Sequence, residues 1–268
     1  MKEYQAELFV PIKTKLGEGI LWDSASRSAL WLDLNLGLFF EHQADSGETI
    51  VFTNREDVIT TLALWDERCV LVSGRRDLYL FDRDTREREH WLHVPGIPND
   101  YRFNDGKFDP AGRLIIGTAF QGEGLGDGKL YKITRDKVIT ELINGGITCS
   151  NGLCWTKDCK TMYYIDTPTK KVMVYDYDIA TGDIANGRMA VDTSLYLGIP
   201  DGMTIDESGN IWVAMFGGFS VLCFNPATAE LIAKVNVPVE RVTCCAFGED
   251  HKLLITTARG CLYSAVIS

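Results

Sequence analysis

The feature that most constrains the fold of this chain is a repeat that recurs about six times along its 268 residues. Each clear copy starts with an acidic or amide residue, continues in an alternating apolar stretch, turns tightly, and adds further apolar stretches. The clearest copies follow Asn104, Asn151 and Asp201, at spacings of 47 and 50 residues. Repeats of about 40 to 50 residues with about four strands each are typical of propeller blades. The sequence therefore predicts an all-β fold, a six-bladed β-propeller with about four antiparallel strands per blade.

Fainter copies complete the six blades and indicate how the ring closes. They begin near Gly19, near Thr60 and near Cys244. The last copy has room for about three strands, so the alternating N-terminal stretch from Tyr4 to Val10 is expected to supply the fourth and close the ring. No linker, charge block or low-complexity tract interrupts the chain. We therefore predict a single propeller domain over residues 1–268.

Two tight turns support the strand assignment. Asp109-Pro-Ala-Gly112 and Asp206-Glu-Ser-Gly209 have Asp at the first position and Gly at the last. This pattern suits a hairpin turn whose final residue is left-handed. The flanking runs alternate with period two and are rich in β-branched and aromatic residues, and no segment sustains a helical stripe for three turns.

The composition argues against nucleic acid and membrane partners. The formal net charge is −10, whereas nucleic-acid binding needs a basic surface that releases counterions. No run of 18 apolar residues occurs, and a transmembrane helix needs about 20. The N-terminal Met-Lys-Glu-Tyr is not followed by the apolar region of a signal peptide. We expect a cytoplasmic protein.

The cysteines and histidines give no site of their own. None of the eight cysteines forms C-x-x-C, so reduced thiols packed in strands are predicted in preference to disulfides or a zinc site. His90 and His93 are three residues apart, a spacing that sends two side chains of a strand to opposite faces, so surface histidines are predicted. No nucleophilic-serine, P-loop or zinc-protease motif occurs.

Four polar residues share one position of the repeat. They are Glu18, Asn104, Asn151 and Asp201. If the repeats close into a ring, these side chains meet, and two carboxylates with two amides form an all-oxygen set that suits Ca²⁺, Mg²⁺ or Mn²⁺. The alternative is that an Asn or Asp before Gly only shapes a turn. The shared repeat position favours a metal site.

Seven motifs then occur in the order found in a known family. They are Leu16-Gly-Glu-Gly19, Arg102-Phe-Asn-Asp-Gly-Lys-Phe-Asp-Pro-Ala-Gly-Arg113, Ser150-Asn-Gly-Leu153, Tyr163-Tyr-Ile-Asp-Thr167, Tyr175-Asp-Tyr-Asp178, Ile199-Pro-Asp-Gly-Met203 and Thr243-Cys-Cys-Ala-Phe247. Over essentially its whole length, the sequence resembles the SMP-30/gluconolactonase family, also called regucalcin-like proteins.

The resemblance implies a propeller that binds one divalent cation in its central channel and hydrolyses sugar lactones. It implies that Glu18, Asn151 and Asp201 are the direct ligands, with Zn²⁺ added to the candidate ions. Arg102 and Asn104 would hold the substrate or complete the site, although Arg102 has the alternative role of balancing charge. The implied mechanism is attack of an activated water on the lactone carbonyl, with the ion as Lewis acid and Asp201 as general base.

The sequence departs from the family pattern in the loop from Phe120 to Gly128. The better-known sugar lactonases carry an acidic residue here that helps to bind the sugar. In this chain Gln121 or Glu123 is expected to take that role, with Phe120 as an apolar wall, and the identity of the lactone stays open.

Other functions remain possible for such a site. The same ion and base suit other esters or phosphotriesters, and a propeller can also serve as a non-catalytic calcium-binding regulator or a protein-binding platform. The polar pair Arg102 and Asn104 favours a small hydroxylated substrate, and we predict a metal-dependent sugar lactonase. The oligomeric state stays open.

Overall fold

The computed structural model describes residues 1–53 and 58–268, whose regular secondary structure is nearly all β-strand. The chain opens with two short strands, β1 (Lys2–Gln5) and β2 (Glu7–Val10). Then follow blade 1 (β3 Gly17–Asp23, β4 Ser28–Asp33, β5 Leu38–Gln43, β6 Thr49–Thr53), blade 2 (β7 Thr61–Leu64, β8 Cys69–Ser73, β9 Asp77–Asp82, β10 Arg88–His93) and blade 3 (β11 Tyr101–Phe108, β12 Leu114–Phe120, β13 Gly128–Ile133, β14 Ile139–Ile147). The last three are blade 4 (β15 Ser150–Trp155, β16 Thr161–Asp166, β17 Lys171–Asp178, β18 Asp183–Asp192), blade 5 (β19 Ile199–Ile205, β20 Ile211–Phe216, β21 Ser220–Asn225, β22 Glu230–Asn236) and blade 6 (β23 Val242–Phe247, β24 Lys252–Thr257, β25 Leu262–Val266).

The six blades form a closed ring. Within each blade the consecutive strands pair antiparallel. The first strands of successive blades contact one another in turn, from β3 through β7, β11, β15 and β19 to β23, which returns to β3. These six strands therefore surround the central channel, and the predicted six-bladed propeller is confirmed. A short 3₁₀ turn covers Thr167–Thr169, and among the described residues there is no helix with the length and hydropathy of a membrane span.

The N-terminal segment closes the ring, but it divides between two blades. The prediction of one strand from Tyr4 to Val10 was wrong in its first part. Only β2 is the fourth strand of blade 6, where Glu7 pairs antiparallel with Ser264 of β25. β1 instead adds a fifth, parallel strand to blade 5, and the Ala6 N–H continues this edge with a 2.9 Å bond to Asn236. The chain end thereby fastens blade 6 and blade 5 together.

The apolar core lies between the blades. Each of six buried clusters joins two neighbouring blades, including the clusters between blades 5 and 6 and between blades 6 and 1. Between blades 1 and 2, for example, the Phe39 and Phe81 rings meet edge to face with centroids 4.9 Å apart. Because both faces of a blade are covered, a strand such as β4 is buried along its whole length.

The two turns expected from their Asp and Gly residues are confirmed. Gly112 and Gly209 have φ of 80° and 85°. Asp109 Oδ1 accepts bonds of 2.9 Å from two backbone N–H groups of its turn, and Asp206 Oδ1 does the same. The Asp side chain thus supplies the acceptors that the tight backbone lacks.

The expectation for the two histidines was wrong in one respect. Both are exposed, as predicted, but they share a face, because both rings contact Asp77 Oδ1 at 2.9 Å. The pairing of β10 with β9 slips between His90 and Leu92. This bulge adds one residue to the strand and cancels the alternation on which the prediction relied.

The prediction of reduced cysteines is confirmed, since all eight are free. Four are buried in strands, namely Cys154, Cys223, Cys244 and Cys245, and the other four are partly exposed. The four buried thiols pack as small apolar side chains.

Candidate active site

The four predicted site residues lie on first strands that surround the channel. Glu18 is on β3, Asn104 on β11, Asn151 on β15 and Asp201 on β19. In each of these strands the pairing with the second strand of the blade slips by one residue at this point, between Glu18 and Leu21, Phe103 and Gly106, Ser150 and Leu153, and Pro200 and Met203. Such bulges redirect side chains next to functional sites. The structure thus repeats one local distortion next to all four residues: Asn104, Asn151 and Asp201 lie within the slip, and Glu18 is the last paired residue before it.

A directed chain of hydrogen bonds connects three of the blades. An Arg102 Nη1–H donates to Asn104 Oδ1, and Asn104 Nδ2 donates to Asn151 Oδ1 at 2.9 Å and to the Ser150 carbonyl at 2.7 Å. Asn151 Nδ2 donates to Thr167 Oγ1 at 2.7 Å. The Thr167 hydroxyl ends the chain with a 2.8 Å bond to the carbonyl that precedes Asp201. Every amide is oriented by its partners, so Asn151 Oδ1 lies beside Asn104.

This series of hydrogen bonds limits the atoms of Asn104 that are free to contact a ligand. Both hydrogens of its Nδ2 are used within the protein, by Ser150 and Asn151. Only a second lone pair of Oδ1 is left for an ion or a substrate. Of the two predicted roles, completing the site therefore fits better than donating to a substrate.

Glycines next to the site residues serve close packing, not turns. The alternative reading of Asn151-Gly152 and Asp201-Gly202 as turn pairs was wrong, because both pairs lie inside strands. A Cβ on Gly152 would be 2.7 Å from the Met203 nitrogen, and one on Gly202 would be 2.4 Å from Cys244 Sγ. Neighbouring first strands approach one another closely here, and only glycine leaves room.

Replacing Gly152 with alanine is expected to lower the free energy of unfolding by about 1–3 kcal/mol, because the added methyl overpacks the β15–β19 contact. Urea unfolding of the two proteins measures this difference. Gly248→Ala is the matched control, because its Cβ would be 3.4 Å or more from every neighbour. An equal loss in both variants would contradict the packing argument.

The site concentrates negative charge. Burial raises the pKa of Glu18 well above its usual value, and the nearby Asp201 and Asp105 carboxylates add to the shift. Burial also raises the pKa of Asp201 well above its usual value, with Asp105 adding and Arg102 opposing. Repulsion between acids in a low-dielectric site favours their protonated forms unless a cation is present.

The donor set fits a divalent cation. Asp201 is 6% exposed, and its Oδ1 is buried without a hydrogen-bond partner anywhere in residues 1–53 and 58–268. With Glu18 and the Asn151 amide oxygen, it provides hard oxygen donors for a 2+ ion. In the same described ranges no group of three His, Cys, Asp or Glu side chains is placed to hold a metal ion. A metal site built from these residues would therefore include an amide oxygen beside the two carboxylates.

The loop between β12 and β13 brings only one of its two predicted residues to the site. Gln121 is exposed, and its Oε1 accepts a 3.3 Å bond from Arg102 Nε. Glu123 is also exposed, and within the described chain it forms no hydrogen bond or ion pair with the other predicted site residues. Phe120 is partly buried against the Tyr101 ring, with centroids 5.1 Å apart.

Sequence reasoning missed three residues near the site. Asp105 occupies the repeat position that is glycine in the other three copies, namely Gly19, Gly152 and Gly202. An aspartate in place of this glycine is the sequence feature that could have identified it. The role of Thr167 follows only from the hydrogen bonds of its hydroxyl to Asn151 and to the Pro200 carbonyl. Cys149 lies within 3.9 Å of both site amides, and burial raises the pKa of its thiol to about 12, so it remains neutral.

Comparison with known proteins gives a family match and several similar proteins. The family model for the SMP-30/gluconolactonase/LRE-like region matches residues 16–259. The chain is 35% identical to the Bacillus subtilis (strain 168) protein named "Putative sugar lactone lactonase YvrE", over 94% of this chain and 87% of that protein. It is 32% identical to regucalcin of Danio rerio, over 96% and 88% of the two chains. The solved structure of a calcium-binding protein, regucalcin, from Agrobacterium tumefaciens strain C58 superposes with a TM-score of 0.91 at 26% identity, covering 99% of this chain and 94% of that one.

Proposed function

Because the chain belongs to the SMP-30/gluconolactonase/LRE-like family, we propose that it is a metal-dependent hydrolase that opens sugar lactones in the central channel. The observation that carries the proposal is the buried Asp201 carboxylate, whose Oδ1 has no partner within the described residues. It lies in a charged cluster with Glu18 and close to the cation Arg102. Names of relatives that refer to a lactonase and to calcium binding agree with this chemistry.

Three side chains would hold the ion. They are the carboxylates of Glu18 and Asp201 and the amide oxygen of Asn151, which the Asn104 and Thr167 bonds orient. When bound, a divalent ion polarises the lactone carbonyl and lowers the pKa of a nearby water. Ca²⁺, Mg²⁺, Mn²⁺ and Zn²⁺ are the candidate ions.

Asp201 acts as the general base. Its carboxylate takes a proton from the water that attacks the lactone carbonyl carbon, and the tetrahedral intermediate then expels the ring oxygen. Asp201 returns the proton to that oxygen, so one lactone and one water give one hydroxy acid. Burial and Asp105 both raise the pKa of Asp201 in the metal-free protein. A bound cation would oppose this shift and would also lower the pKa of the attacking water, which makes the proton easier to remove.

Arg102 and Gln121 form the polar side of the substrate site. The guanidinium is fixed by a 2.8 Å bond to the Phe103 carbonyl, and Nε bonds to Gln121. A fixed fork of N–H donors suits the hydroxyl oxygens of a sugar lactone. Gln121 takes the place of the acidic residue of better-known relatives, and Glu123 lies further along the same loop.

Replacing Arg102 with methionine is expected to lower kcat/KM for aldonolactones by about 10- to 100-fold, because each hydrogen bond to a charged group contributes about 1.5–3 kcal/mol. Most of the loss should appear in KM. Arg188→Met is the matched control, because Arg188 is an exposed arginine that pairs with Asp176 away from the channel. Initial rates of proton release provide both constants. Equal kinetics for the Arg102 variant and the wild type would exclude a role of Arg102 in substrate binding. Balancing the charge of the nearby carboxylates would then be its remaining role.

A substrate panel tests the proposal against its rivals. Proton release should be fast with aldonolactones and slow with acyclic esters and phosphotriesters. Preference for phosphotriesters would favour the main rival within the hydrolases. A protein that binds Ca²⁺ but turns over none of these compounds would be a calcium-binding regulator.

A further inference from the structure

A lysine further along β11 crosses the channel. Lys107 lies in blade 3, and its Nζ donates a 2.7 Å hydrogen bond to the carbonyl oxygen of Met203 on β19 in blade 5. In the ring of first strands, β15 of blade 4 lies between β11 and β19. The side chain therefore connects two blades that are not neighbours.

The acceptor of this bond marks the end of the bulge that carries Asp201. Pairing of β19 with β20 is regular up to Pro200 and resumes at Met203, so Asp201 and Gly202 lie within the slip. A bulge leaves its residues outside the regular ladder. The bond from Lys107 thus holds the backbone at the point where the ladder starts again.

The surroundings of Lys107 are poor in other polar partners. It lines a cavity of about 230 Å³ with Asp105, Cys244 and mainly apolar residues. Asp105 Oδ2 is buried and has no hydrogen-bond partner within the described residues. Burial lowers the pKa of Lys107, but charges around it, including Asp105, raise it, and the net direction is upward.

We propose that Lys107 is a positioning residue for Asp201, because its bond to Met203 fixes the bulge that carries the Asp201 carboxylate. The role in turnover rests on the proposed function. The fixing of β19 is a property of the folded chain and can be measured without turnover.

Two roles of Lys107 predict opposite effects on metal binding. If the ammonium only balanced the charge of Asp105, its removal would relieve repulsion with a bound cation, and the metal would bind more tightly. If Lys107 positions Asp201, its removal displaces a ligand, and the metal binds more weakly. The sign of the change distinguishes the two.

Four variants test the proposal on the full chain. Lys107→Met removes the donor and the charge, and Lys107→Arg keeps both. Asp105→Asn/Lys107→Met removes both charges without restoring the bond to Met203. Lys132→Met is the matched control, because Lys132 is 7% exposed and also joins blades, by a 2.8 Å bond from Nζ to Thr181 outside the channel.

Three readouts apply to each variant. Amide hydrogen exchange of Ile199–Ile205 is followed in the metal-free protein. Calorimetry with Ca²⁺ and Mn²⁺ gives the dissociation constants, and kinetics separate kcat from KM. In Lys107→Met we expect faster exchange in this segment, metal binding weakened by about tenfold, and kcat lowered by about 10- to 100-fold with KM little changed. Lys107→Arg should recover most of each loss, and Lys132→Met should leave exchange of the segment unchanged.

The double variant decides the case if Lys107→Met alone is too unstable to study. Weak metal binding and fast exchange in Asp105→Asn/Lys107→Met would support positioning. Tighter metal binding in Lys107→Met, or wild-type behaviour of the double variant, would overturn it. If the wild type hydrolyses no lactone, the proposed function fails, while hydrogen exchange still tests the role of Lys107.

Discussion

Replacing Asp201 with asparagine is expected to lower kcat for lactone hydrolysis by about 10³-fold, because an amide cannot accept the proton of the attacking water. The change is nearly isosteric and leaves an oxygen where Oδ1 lies. Asp201 is 6% exposed, so solvent cannot readily replace it as a base. Initial rates of proton release at saturating lactone and saturating metal give the comparison, because Asp201 is also a proposed metal ligand.

The control for this variant is Asp176→Asn. Asp176 is an exposed strand residue that pairs with Arg188 at 2.9 Å. Its variant should retain the wild-type kcat, and thermal unfolding should show that both variants are folded. A kcat for Asp201→Asn within about tenfold of the wild type would remove Asp201 from the role of base.

Replacing Glu18 with glutamine is expected to weaken binding of the divalent cation by about 100-fold or more, since one of two charged ligands is lost. Lactone turnover should fall in parallel at limiting metal and recover in part when excess metal is added. Calorimetry gives the dissociation constant directly. Unchanged affinity would place the ion elsewhere in the protein.

The affinity for the divalent cation should depend on pH. Burial and the neighbouring acids raise the pKa values of Glu18 and Asp201 in the metal-free protein, so these groups hold protons above the usual pKa of about 4. A bound cation must displace those protons, so affinity rises with pH and binding releases protons. Calorimetry in buffers of different ionisation enthalpy counts the protons, and Glu18→Gln should release fewer.

The stability of the metal-free protein should also depend on pH, through the same two carboxyl groups. A carboxyl whose pKa is higher in the folded state than in the unfolded chain stabilises the fold below its unfolded pKa, and this contribution is lost as pH rises through the folded pKa. The contribution of Glu18 and Asp201 to the stability of the metal-free protein therefore falls with rising pH. Added metal should offset the loss, which thermal unfolding with and without a chelator would show.

The repeat pattern predicted the ring because each blade must bury both faces against its neighbours. The apolar strands, the Asp-Gly turns and the missing fourth strand of blade 6 follow from this requirement. The parallel pairing of β1 with β22 left no pattern in the sequence. An added edge strand needs only backbone hydrogen bonds, which all residues except proline can form.

Slips in strand pairing account for much of what sequence alone could not predict, both on the outer strand of blade 2 and at the site. A period-two pattern places His90 and His93 on opposite faces, but one extra residue in β10 puts them together. The same kind of slip lets Asp201-Gly202 lie inside a strand, where the pair resembled a turn. Lys107 reads as an ordinary strand lysine until its bond to blade 5 is seen.

The most direct test of the account is lactone hydrolysis by the chelator-treated protein, with Ca²⁺, Mg²⁺, Mn²⁺ and Zn²⁺ added back in turn. The account predicts that chelation abolishes proton release from aldonolactones and that at least one ion restores it. It also predicts that no ion restores it in Asp201→Ala. Turnover that survives complete removal of metal, or a metal-loaded protein that opens no lactone, would contradict the central claim.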